Sequence, residues 1–61
     1  MFYEIIVRGY VGEKWFQGLT VINQPDFTTK ISGQLSDQSA LFGILRKIND
    51  LGIELISVNS K

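Results

Sequence analysis

The sequence predicts an α+β domain with the element order β-β-β-α-β and a four-stranded, mostly antiparallel sheet carrying one helix on one face. Three observations carry this. β-branched and aromatic residues dominate short runs in the first half of the chain. Apolar residues at helical spacing follow Asp37. Gly52 then separates that stretch from a second β-rich run.

The first strand is FYEIIVRG, residues 2–9. Alternation puts Tyr3, Ile5 and Val7 on one face and Phe2, Glu4, Ile6 and Arg8 on the other. Gly9 and Gly12 bracket a loop. KWFQGLTVI, residues 14–22, reads as a second strand, with Gly18 marking a bulge or a close backbone approach. Either of its two parities fits the core. Asn23-Gln24-Pro25-Asp26 is a turn, because proline presets φ at the first central position and Asp suits the next. Residues 27–34 form a half-buried strand, with Phe27, Thr29 and Ile31 inward and Thr28, Lys30, Ser32 and Gln34 outward.

Asp37 is a strong N-cap, since its carboxylate accepts from the free N–H groups of a first helical turn. Leu41, Ile44, Leu45, Ile48 and Leu51 make the buried stripe, and Gly52 supplies a left-handed stop. IELISV, residues 53–58, is the last strand. A meander of three strands followed by a right-handed crossover gives the order 4-1-2-3, with the last strand parallel to the first.

The chain is 61 residues long, so residues 1–61 form a single domain. A domain of this size buries only about 60% of the surface of its unfolded chain, which makes self-association a common source of extra stability. Six basic residues balance six acidic ones, so net charge does not oppose association. There is no Cys and no His. That excludes disulfides, zinc fingers, and thiol or imidazole catalysis. The scattered, fully balanced basic residues argue against nucleic acid as a partner. No apolar run reaches the length of a membrane span, and residues 1–4 do not look like a secretory signal, so the expected location is cytoplasmic.

No constellation points to an enzyme, a metal or a cofactor. Glu4 and Glu54 are the one carboxylate pair that strand pairing would bring together, and Arg8 on the same face turns that into an ion pair. The loop of residues 9–14 lacks the glycine spacing and the Lys-Ser/Thr pair of a phosphate loop.

Two surfaces stand out as candidate interfaces. One helix covers one side of a sheet, which leaves Ile6, Arg8, Glu54, Ile56 and Val58 on the bare side, with the three aliphatic residues as an apolar patch. On the helix, Gly43 points away from the sheet, where it costs about 1 kcal/mol relative to Ala. Ser39 lies one turn before it, Lys47 one turn after, and Phe42 and Arg46 flank the row. A small residue there lets a second backbone approach closely.

YEIIVRG (residues 3–9), WFQGLTV (15–21), TKISGQLSDQSALFGIL (29–45) and DLGIELISV (50–58) together resemble a family of short uncharacterised prokaryotic proteins of about this length. The pattern DQ-x-AL-x-G, residues 37–43, is the most distinctive part. Phe42 departs from the His or Tyr that members often carry there, which removes a polar group from that position. The resemblance implies a small cytoplasmic protein and brings no activity. Residues 39–58 are also similar to the helix-glycine-strand unit of ACT-type regulatory domains, an analogy of local form only.

The expected function is therefore a non-enzymatic homo-oligomerising or protein-interaction module, with a dimer as the favoured assembly. The alternative is a regulatory module that binds a small molecule at a subunit interface.

Overall fold

The computed structural model describes residues 1–61. Strands β1 (Phe2–Arg8), β2 (Thr20–Gln24), β3 (Thr28–Gln34) and β4 (Leu55–Ser60) and one helix, α1 (Gln38–Asp50), make an α+β fold. The sheet is fully antiparallel, in the order β2-β3-β1-β4.

This order replaces the expected 4-1-2-3, and β4 runs antiparallel to β1 rather than parallel. β1 and β2 do not form a hairpin. Each pairs with β3, one on either side, so they point the same way. Neighbours of equal direction need a crossover between them, and residues 9–19 provide it. β3 and β4 likewise flank β1, and α1 carries the chain between them. Two crossovers thus interlock, each passing over one strand. That is the connectivity of paired split β-α-β units. Here the first crossover holds only a 3-10 turn at Glu13–Trp15 where an α-helix would complete the pattern.

The first crossover also corrects the expected strand at residues 14–22. Regular pairing begins only at Thr20 and runs on to Gln24, so the turn is Pro25–Phe27. Phe27 closes that turn with φ +64° and 60% exposure, not as the inward first residue of a strand. Its ring packs edge-on against Tyr10, with centroids 4.8 Å apart.

Tyr3, Ile5 and Val7 face the core as their alternation predicts. Phe16 from the crossover, Ile31 from β3, and Leu41 and Ile48 from α1 join them. Crossover and helix therefore cover the same face of the sheet. Thr29 is wholly buried there, and its hydroxyl donates to the Gly9 carbonyl at 2.7 Å while accepting from the Asn23 amide at 2.9 Å. This satisfied pair ties the exit of β1 to the β2–β3 hairpin. Gly33 leaves room for Leu19: a Cβ on Gly33 would stand 2.6 Å from the Leu19 Cδ2.

The ends of α1 are as expected. The Asp37 carboxylate accepts from the Ala40 N–H at 2.9 Å. At the other end Ile53 N–H reaches the Ile48 carbonyl and Gly52 N–H the Asn49 carbonyl, around Gly52 at φ +73°. That is a Schellman stop. No helix is long and apolar enough to cross a membrane.

Candidate functional site

The bare face of the sheet is less apolar than expected. Val58 lies opposite Ile5, so it belongs to the covered face and packs against the core. The reason is a bulge. Ile6 pairs with Ser57 and Val7 with Leu55, which leaves Ile56 as the extra residue on the edge strand. The patch of Ile6, Ile56 and Val58 is therefore not assembled on one face. Ile6 and Ile22 do share a row, but Lys30 stands between them.

Polar contacts occupy the rest of that face. Arg8 Nε meets Glu54 Oε1 at 2.9 Å, as the ion-pair reading expects. Glu4 lies at the other end, opposite Asn59, with Lys30 at 3.8 Å and Lys61 at 3.9 Å. Glu4 and Glu54 thus belong to separate ion pairs and do not form a carboxylate dyad. All these groups are partly or largely exposed, which makes the face a solvated charge lattice.

The outer flank of α1 has the opposite character. Phe42 is 62% exposed, more than any other large hydrophobic side chain. Beside it Gly43 is open, with nothing within 4 Å of where a Cβ would stand. Ser39, Phe42, Gly43 and Arg46 line one shallow depression of about 260 Å³. Four of the five helix residues singled out in the sequence thus line it, and Lys47 does not. Leu51 and Trp15, both partly exposed, extend the surface along a neighbouring hollow that also touches Gly43.

On the other side of Gly43 a groove of about 690 Å³ opens between α1 and the first crossover. Phe16, Leu19, Leu35, Ala40 and Ile44 supply its apolar surface. Lys14, Trp15, Gln17, Gln34 and Lys47 also line it, together with Gly18 and Gly43. The Lys47 ammonium donates to the Trp15 carbonyl at 3.1 Å, and the Lys14 ammonium lies 5.3 Å from the centre of the Trp15 ring. The groove follows from topology. A full helix in the first crossover would pack beside α1, whereas a three-residue 3-10 turn leaves that flank uncovered. Reading residues 14–22 as a strand hides this. The signal that could have found it is the pair Gly12 and Gly18, which punctuate the segment and set it apart from the strand that follows.

The chain belongs to the family described as Domain of unknown function (DUF8691), whose model matches residues 2–59. No curated protein and no solved structure matches the sequence.

Proposed function

We propose that the protein is a homo-oligomerising interaction module, and that two copies meet through the outer flank of α1. One observation carries this: a knob and a hole lie side by side on the same helix. Phe42 projects into solvent while Gly43, next to it, offers unfilled space. A surface that carries both is self-complementary, which a two-fold interface requires. The neutral net charge does not oppose it. The bare sheet face is a poorer candidate, because docking there would strip water from three ion pairs.

Sedimentation equilibrium over a concentration series tests the reading. The expected result is a reversible rise to twice the protomer mass, abolished by Phe42→Ser with the helical circular-dichroism signal retained. A protomer mass at every concentration up to the millimolar range would overturn it. So would a dimer that Phe42→Ser leaves intact.

A further inference from the structure

The six basic residues divide into two groups by location. Arg8, Lys30 and Lys61 all reach carboxylates on the bare sheet face. Lys14, Arg46 and Lys47 all lie along the helix–crossover side, and none of them has a carboxylate at ion-pair distance. The groove lining contains two lysines and no Asp or Glu. A chain of zero net charge thus presents a groove of mixed polar and apolar lining whose only charged residues are two lysines.

We propose that this groove binds a small monocarboxylate whose body is an apolar ring or chain. The size suits such a ligand, since small-molecule sites typically span about 300–1,000 Å³. Trp15, Leu19, Ala40 and Ile44, which keep exposed surface in the groove, offer the apolar body its contact. Lys47 spends one of its three N–H donors on the Trp15 carbonyl and keeps two for an anion. Lys14, held over the indole, adds a second ammonium. Two ammonium groups offer one donor to each of the two oxygens of a carboxylate. The site is complete within one protomer, so it does not rest on self-association.

The probe is phenylbutyrate, set against its neutral counterpart phenylbutanol. Trp15 is the single tryptophan, so its emission reports the groove directly. We expect a saturable change in Trp15 emission with phenylbutyrate, and amide NMR shifts centred on Trp15, Gly43 and Lys47. Phenylbutanol should bind about tenfold more weakly, because a charged hydrogen bond is lost. Lys47→Gln and Lys14→Gln should each weaken phenylbutyrate by about threefold. Lys30→Gln, on the opposite face, should leave it unchanged. Equal affinity for acid and alcohol would overturn the proposal. So would shifts mapped outside the groove, a Lys30→Gln effect as large as that of Lys47→Gln, or no saturation into the millimolar range. None of these outcomes depends on the mass of the assembly, so this inference and the dimer can fail separately.

Discussion

Gly33 and Gly43 each interrupt a regular element, and their surroundings differ completely. Around Gly33, near the end of β3, the missing side chain is replaced by Leu19, which arrives from the crossover and fills the space. Around Gly43, in the middle of α1, nothing fills it. A glycine costs stability in both settings. At Gly33 packing inside the protomer offsets that cost, whereas at Gly43 no contact within the protomer does. The seam between crossover and sheet is finished, and the flank of the helix is not. That contrast is the ground on which the outside of α1, rather than the sheet, is proposed as the contact surface.

Substitution at the two positions should therefore have opposite signs. Gly33→Ala places a methyl where the Leu19 Cδ2 now lies, so Leu19 must rotate aside, and should destabilise the fold by about 1 kcal/mol, read from urea denaturation. The penalty should shrink in a Leu19→Ala background, since the two side chains compete for one space. A neutral Gly33→Ala would break the comparison. Gly43→Ala should stabilise the protomer by about 1 kcal/mol, the ordinary helix-propensity gain, when measured at dilutions where no dimer forms. A loss at Gly43 would mean that the flank is already packed. The smallest effect belongs to the third region, the bare sheet face. Glu54→Gln removes an ion pair whose side chains are 58% and 64% exposed, and should cost no more than about 0.5 kcal/mol, less at high salt. A larger, salt-insensitive loss would show that this face is not simply solvated.

Local chemistry was legible in the sequence. The faces of β1 follow from alternation. Asp37 and Gly52 set the ends of α1 because capping depends on one residue and its nearest turn. The flank residues Ser39, Phe42 and Gly43 follow from helical spacing, and the structure places them together. Long-range pairing was not legible. Nothing within residues 2–24 says whether β2 lies beside β1 or one strand away, because both arrangements bury Tyr3, Ile5 and Val7 equally well. The β-rich letters of Trp15 and Phe16 also mislead. Phe16 is buried through a 3-10 turn, and that burial satisfies its hydrophobicity without any ladder. The bulge at Ile56 is invisible to a period-two pattern, yet it alone moves Val58 to the other side.

The interlocked connectivity also constrains the order in which the chain can assemble. β1 is synthesised first, yet both of its partners lie downstream, the nearer starting at Thr28 and the farther at Leu55. Until then Ile5 and Val7 have no sheet to join, whereas β2 and β3 zip together across a three-residue turn. That hairpin is the natural nucleus, and insertion of the first-made strand into the middle of the sheet is the slow, non-local step. A nascent chain released before residues 55–60 emerge would present β1 as an unpaired apolar edge, the form most prone to aggregate.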